Sequence, residues 1–420
     1  MIVPFILLGL VLLSEYYIFQ AVKTAFQNNA SWPKHFTNGI YVLLSLIFYG
    51  IIVASFIAGR GGSQIFGKVI FGISITMFLG IFLLKIVMAG ILLSEDLFRA
   101  GKWLTEKAVN LSSSKEVAFN YSRKKFISQL AIVAGAVPLI TMLNGMARNA
   151  YRFKIYKAAI PVKNLPKALS QLKMVQISDL HTGSMMFPER LKEAIEMIND
   201  LKPDLVFFTG DIVNSIADEI EPFKNILANL KAKHGVFSVL GNHDYGYYHR
   251  FSKDKSENEK ATANNLQKLK NYQKEMGWQM LNNENKVIDI EGDKLAIIGV
   301  ENWSDKPYFP SKGDLNAAYK GCEDCAVKIL LSHDPTHWRK QVITNFTDID
   351  LTLSGHTHGF QFGVEIPWIK WSPAKYAYKE WAGLYTENNQ HLYVNRGIGH
   401  LGYPGRIGIM PEITEIELVG

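Results

Sequence analysis

The alternation of apolar and polar positions gives the two halves of the chain different grammars. Before residue 150, four stretches are almost unbroken in apolar character: Met1–Val22, Gly39–Gly59, Val69–Leu93 and Phe126–Ala147. Each is near the ~20 residues that a helix needs to cross the hydrocarbon core of a bilayer. Glu15 and Lys85 interrupt them, and Gly39–Gly59 and Phe126–Ala147 carry no charge. The pattern predicts an all-α transmembrane region of about four helices. Pro138 is tolerated there where neighbouring helices re-satisfy the backbone. Lys85 is expected to snorkel or to face the bundle interior, the alternative being a functional intramembrane charge partnered by Glu15.

After Lys167 the apolar runs shorten and end in polar motifs. Leu172–His181, Asp204–Val213 and Gly235–Asp244 read as buried strands, and Pro188–Asn199 and Asp218–Leu230 between them have helical spacing. That order is βαβαβ, the grammar of an α/β domain. Lys286–Val300 alternates and turns at Glu291-Gly292-Asp293, as a hairpin does. Ala326–Pro335, Asp348–His358, His391–Gly399 and Glu412–Val419 are expected to form a second sheet packed on the first. Ser252–Lys260 reads as a charged surface loop. The division expected is residues 1–149 as the transmembrane region, 150–170 as a basic juxtamembrane linker and 171–420 as one α/β domain.

Composition sharpens this reading in three ways. The chain is 48% hydrophobic with a net charge of +7, and its basic residues crowd the flanks of the apolar stretches: seven Lys/Arg lie between Ser94 and Lys125, and six between Arg148 and Lys167 with no acid among them. Such collars suit anionic lipid head groups and membrane topology, so nucleic acid is not the expected partner. The segment "SRKKFISQLAIVAGAVPL" from Ser122 has a basic pair, Phe and a moderate apolar run, similar to a twin-arginine export signal. With the basic flank in the cytoplasm, the α/β domain is expected on the extracytoplasmic side. The two cysteines, Cys322 and Cys325, lack the second pair that a zinc ribbon needs and read as loop thiols or a local disulfide.

The candidate chemistry lies at strand ends. Asp179 and His181 stand in "SDLH", Asp211 in "TGDIV", Asn242, His243 and Asp244 in "GNHD", His333 in "LSHDP", and His356 and His358 in "GHTH". In α/β folds the loops leaving strand carboxyl ends gather in one crevice. Asp, Asn and His donors suit divalent Mn, Fe or Zn. So many donors exceed the needs of one tetrahedral ion and suit two ions ~3.5–4 Å apart, with Asp211, alone on its loop, as the natural bridge. No P-loop is present.

The ordered motifs D-x-H, GD, GNHD, H and GHTH resemble those of the calcineurin-like metallophosphoesterase superfamily, from about Lys173 to the C-terminus. The closing "NRGIGHLGYPGRIGIMPEITEIEL" and the apolar N-terminal region are similar to its membrane-anchored branch. The resemblance implies a four-layer α/β/β/α sandwich of two mixed sheets. It also implies that Asp179, His181 and His358 hold one metal, that Asn242, His333 and His356 hold the other, and that Asp211 bridges them. His243 would stabilise the phosphoryl group or protonate the leaving oxygen, with Asp244 orienting its ring. A water activated between two divalent cations would attack phosphorus in line. Arg396 and Arg406 are candidates for gripping a non-transferring phosphate. Tyr247, Tyr248, His249 and His400 are candidates for the pocket mouth. The expected function is hydrolysis of a phosphoester or pyrophosphate, preferably lipid-linked, by a multi-pass integral membrane enzyme. The alternatives are a catalytically silent scaffold and a regulatory domain of a membrane protein. Monoester or diester preference and oligomeric state are left open.

Overall fold

Continuous apolar runs have become membrane-length helices in the first half and strands buried on both faces in the second. The computed structural model describes residues 2–26, 38–43, 45–50, 53, 65–109 and 121–420. They fall into two units, Met1–Asn144 and Gly145–Gly420.

The first unit contains helices α1 (Ile2–Ala25), α2 (Ile65–Val109) and α3 (Tyr121–Ala147), with a shorter apolar helix at Asn38–Gly50. These overlap the four expected spans, of which residues 1, 44, 51, 52 and 54–59 lie outside the described residues. At ~1.5 Å per residue, α2 is roughly twice as long as a bilayer core is thick. Its polar end carries its own ion pairs, Arg99 Nε lying 2.9 Å from Glu95. Ile18 and Ala21 of α1, Met88 of α2 and Ala131 of α3 share one buried cluster. Lys85 does not snorkel. It is buried and pairs with Glu15, and its Nζ donates to Tyr49 Oη (2.9 Å), which in turn donates to Glu15 (2.6 Å). A charge in hydrocarbon is tolerated when it is paired in this way.

The second unit is built on two six-stranded sheets. The first runs β1 (Lys154–Pro161), β14 (Glu412–Val419), β2 (Lys173–Ile177), β3 (Leu205–Phe208), β4 (Val236–Ser238) and β5 (Gln279–Met280) from edge to edge. The second runs β12 (Gly383–Glu387), β13 (Gln390–Val394), β9 (Leu351–Ser354), β8 (Val327–Leu331), β7 (Asp293–Gly299) and β6 (Glu284–Ile290). A separate two-stranded hairpin pairs β10 (Val364–Ile366) with β11 (Ile369–Trp371).

Period-2 alternation distributes each strand between two cores. Met174, Leu205, Phe207 and Phe237 point between the sheets and meet Leu295, Ile329, Leu351 and Tyr393. Val175, Val206 and Phe208 point the other way, onto Leu191 and Ile195 of α4 (Pro188–Asp200) and Leu269 of α6 (Lys255–Glu275), with α5 (Glu221–Leu227) on the same side. Beyond the second sheet, Ile298, Leu330 and Val394 pack on Leu315, Trp338 and Val342. The result is the four-layer α/β/β/α sandwich, and burial on both faces explains why these strands read as near-continuous apolar runs.

Three local expectations are revised, and one pair of alternatives is decided. Residues 154–161 of the expected linker are β1, which pairs parallel with β14 over eight register positions. The closing strand joins the first sheet, between β1 and β2, and not the second. Ser252–Lys260 is not a loop throughout, because Asp254 caps α6 by accepting from Glu257 N (2.9 Å) and turns the charged run into helix. Of the two readings for Cys322 and Cys325, the structure has loop thiols without a disulfide, buried in the core outside the second sheet.

Candidate metal centre

β2, β3 and β4 run parallel, as do β7, β8, β9 and β13, so their carboxyl ends open on the same crevice. Asp179 and His181 follow β2, Asp211 follows β3, and Asn242 and His243 follow β4. His333 follows β8, and His356 and His358 follow β9. Their side chains form two triads, Asp179–His181–His358 and Asp211–His333–His356, each with ligand-type atoms within 4.8 Å of one another. Asp211 touches both, its Oδ2 lying 3.6 Å from His181 Nε2 and 3.1 Å from His333 Nε2. Asn242 reaches the second triad, with Oδ1 2.9 Å from His356 Nδ1.

The local backbone is bent to make this possible. Asp179, His181, Asp211, His356 and His358 all have positive φ, between 49° and 72°. Non-glycine residues rarely adopt that region, and each such residue costs ~1–3 kcal/mol that the surrounding fold must offset. Glycines clear the space, since a Cβ on Gly355 would collide with Ser178 and the Asp179 carboxylate. Compensation also comes from hydrogen bonds: the His356 amide donates to both Asp179 oxygens (3.0 Å), and the His243 amide donates to Asp211 Oδ1 (2.8 Å).

The cluster has the character of a cation cage. Both ring nitrogens of His181, and Nε2 of His358, are buried without a hydrogen-bond partner. Buried polar atoms are normally satisfied, and a metal ion is the partner that this donor set fits. Burial holds His181 down to about 3 and His356 to about 4, which leaves their lone pairs available at neutral pH. Burial would raise Asp211, but the histidines that face it, His333 foremost, outweigh it and keep the carboxyl well below its usual range. His333 is raised to about 10, its burial being outweighed by Asp211 and Asp179. Its Nδ1 donates to Thr209 O (2.7 Å), so Nε2 is the nitrogen that faces Asp211. There a divalent ion would take the place of a proton.

Other expected site residues are placed differently. His243 lines the crevice, its ring 4.8 Å from that of His181, and its Nδ1 donates to Asn214 O (2.7 Å). Asp244 does not orient that ring. Its buried carboxylate accepts from the amides of Asp211 (2.9 Å), Ile212 (2.9 Å) and Gly241 (2.8 Å), so it fixes the backbone of two ligand loops. Arg396 and Arg406 are not free to grip a phosphate. Arg396 is buried and paired with Glu412 (2.6 Å) and Glu365. Arg406 is fully buried and donates to the carbonyls of Gly397 (2.9 Å) and Gly399 (3.0 Å through Nε), behind His358. Of the pocket-mouth candidates, Tyr248 accepts from Asn242 Nδ2 (2.9 Å), whereas His400 is buried against the Tyr151 ring.

The crevice has a volume of about 390 Å³. Among the walls that sequence reasoning missed are Phe309, Phe360, Gln361 and Tyr378, whose Oη lies 2.8 Å from His356 Nε2. Isolated aromatics on long connections carry no spacing signal, and folding alone brings them there.

Residues 172–360 match the family model for calcineurin-like phosphoesterases, and residues 1–150 match the model for the transmembrane domain of calcineurin-like phosphoesterases. A transmembrane protein with metallophosphoesterase domain from Danio rerio is 30% identical over 76% of this chain and 68% of its own length. This chain belongs to the transmembrane metallophosphoesterases. The metallophosphoesterase YkuE of Bacillus subtilis is 30% identical over 71% of this chain and 97% of its own. A UDP-2,3-diacylglucosamine pyrophosphatase, LpxG of Chlamydia trachomatis, is 30% identical over 56% of this chain and 81% of its own. Family membership makes the chain a membrane protein with a phosphoester-hydrolase domain, and its two side-chain triads fit the family's divalent metals.

Proposed function

We propose that this chain is a dinuclear metal-dependent phosphoesterase, with Asp179, His181 and His358 holding one divalent ion, Asn242, His333 and His356 the other, and Asp211 shared between them. The observation that carries this reading is the contact of the Asp211 carboxylate with a histidine of each triad. Bound in such a cage, Mn, Fe or Zn lowers the pKa of water and neutralises charge growing on phosphoryl oxygens. The side chains do the rest. Asn214 O accepts the Nδ1 proton of His243, which leaves Nε2 to meet the substrate, and a carbonyl partner allows only that tautomer. Asp244 acts as a positioning residue, holding the Asp211 and Gly241 amides.

The substrate class we favour is a lipid-linked phosphoester or pyrophosphate. It is supported by the membrane-integrated architecture and by the relative named for a pyrophosphatase of a diacylated sugar nucleotide. The basic segment before the fourth span supports an extracytoplasmic domain, which a reporter fusion at the C-terminus checks.

Purified full-length protein, stripped of metal and titrated with Mn²⁺, tests the reading. Two ions per chain with hydrolysis of an aryl phosphodiester are expected. One ion or none, or two ions without turnover, overturns the enzyme reading, and the second outcome favours a silent scaffold. Comparing lipids of cells that carry wild-type protein with those of cells that carry Asp211→Asn then identifies the phospho-compound that accumulates.

A further inference from the structure

The β10–β11 hairpin is inside out. Its register pairs Val364 with Trp371, Glu365 with Lys370 and Ile366 with Ile369, so the polar pair occupies one face and the apolar pairs the other. On a protein surface the apolar face of a hairpin ordinarily turns inward. Here the polar face is the one that bonds to the body of the unit, with Glu365 half-buried and Lys370 still exposed along its length. Glu365 is ion-paired with buried Arg396 and accepts from Tyr156 Oη (3.3 Å), and Lys370 Nζ donates to Ala382 O (2.7 Å) over the Trp381 ring. The apolar face points away, leaving Val364 41%, Ile366 42% and Ile369 47% exposed, with Trp368 at the turn 79% exposed.

Phe362, 44% exposed, extends the strip toward the metal centre, and Phe360 at the crevice rim continues it. Phe360 and Gln361 are held at φ 52° and 57°, a conformation that a bulky side chain such as Phe adopts only under constraint. Gln361 supplies the constraint, donating to the Tyr403 (2.8 Å) and Gly405 (3.2 Å) carbonyls. An apolar path therefore leads from the crevice to the hairpin tip.

We infer that this hairpin inserts its apolar face into the lipid leaflet, so that the crevice receives phosphoesters of amphiphiles whose chains stay in the bilayer. The second half rests on the phosphoesterase reading. Three features favour lipid as the occupant. The chain has a transmembrane domain of its own. A Trp tip, with exposed Tyr376 and the cations Lys375 and Lys379 close by in sequence, has the composition of a membrane-interface anchor. The strip from Phe362 to Ile369 is contiguous and apolar, with Trp368 its most exposed side chain, the kind of patch that marks an interaction site on a protein surface.

The test uses the full-length chain in vesicles of phosphatidylethanolamine and phosphatidylglycerol. A fluorophore on Trp368→Cys, in a Cys322→Ala/Cys325→Ala background, is expected to be quenched by lipids brominated in their acyl chains and shielded from aqueous iodide. Quenching by iodide alone overturns the inference. Shielding from both also overturns it, pointing to cover by protein, and crosslinking then separates a second copy from the chain's own helices. In the same vesicles, Ile366→Ser/Ile369→Ser is expected to keep hydrolysis of a soluble aryl phosphodiester while losing about tenfold on an aryl alkyl phosphodiester anchored by a long chain. Equal losses on both, or a parent protein with no preference for the anchored probe, overturn the substrate-access half. A parent protein inactive on either probe fails the phosphoesterase reading and leaves the quenching result standing.

Discussion

The metal-centre loops and the β10–β11 hairpin break the ordinary burial rule in opposite senses. At strand ends, aspartates and histidines are taken out of water; a short way beyond His358, isoleucines and a tryptophan are left in it. Burying a charge costs free energy unless something pairs it, and exposing a contiguous apolar strip does so unless something covers it. Both regions are therefore complementary to matter outside the chain: cations in one case, hydrocarbon in the other. Buried Arg396, tied to Glu412 and Glu365, is the control, since its charges answer one another within the fold.

Asp211 is where this contrast can be undone most directly. Replacing it by Asn removes the charge shared by the two triads, and kcat/KM on an aryl phosphodiester is expected to fall about 10³-fold, equivalent to ~4 kcal/mol, with loss of bound metal by elemental analysis. Retention of both ions and turnover would reduce the cluster to a structural network.

Arg396→Ala separates charges that wait for a ligand from charges that do not. It strands Glu412 in the core, and about 3 kcal/mol of stability is expected to be lost in urea unfolding, with KM for the aryl phosphodiester unchanged in the folded fraction. A raised KM with intact stability would restore the phosphate-gripping role. The same pair has a pH signature. Burial would raise Glu412, but Arg396 and Tyr393 outweigh it and hold it below its ordinary 4.5. Its contribution to stability is therefore fully present above that value and lost as pH falls through the lower folded-state value, a loss that the Arg396→Ala variant should not show in acid unfolding.

Gly355→Ala forces a methyl against Ser178 and Asp179. Overpacking of about 2 kcal/mol is expected by thermal unfolding, together with weaker metal binding.

Phe360→Gly should do least. Relief of the left-handed backbone offsets the lost half-exposed ring, so stability should change by less than about 1 kcal/mol, against the ~3–5 kcal/mol of a core Phe truncated to Ala. A larger loss by urea unfolding would mean that the fold, and not a ligand, needs this ring.

Much of the α/β unit was legible because its signals are local. A strand such as Leu205–Phe208 is buried on both faces, so it reads as an unbroken apolar run ending at Thr209-Gly210-Asp211. Arg396 and Arg406 misled because arginines in Gly-rich loops look the same in sequence whether they face a ligand or a buried carboxylate. Asp244 misled for a related reason, since adjacency to His243 in the chain does not fix where its carboxylate points, and four backbone amides decided it.

Membrane-length helices, most of the buried strands and the kinds of side chain at their ends follow from the chain read in isolation, because periodicity and residue chemistry act over a few neighbours. Long-range packing was needed to establish that residues from both sheets meet around Asp211, that two arginines are consumed inside the fold and that one hairpin shows its apolar face outward. Each of those outcomes depends on which distant segment arrives to cover or pair a group, and contacts of that range leave no period in the chain.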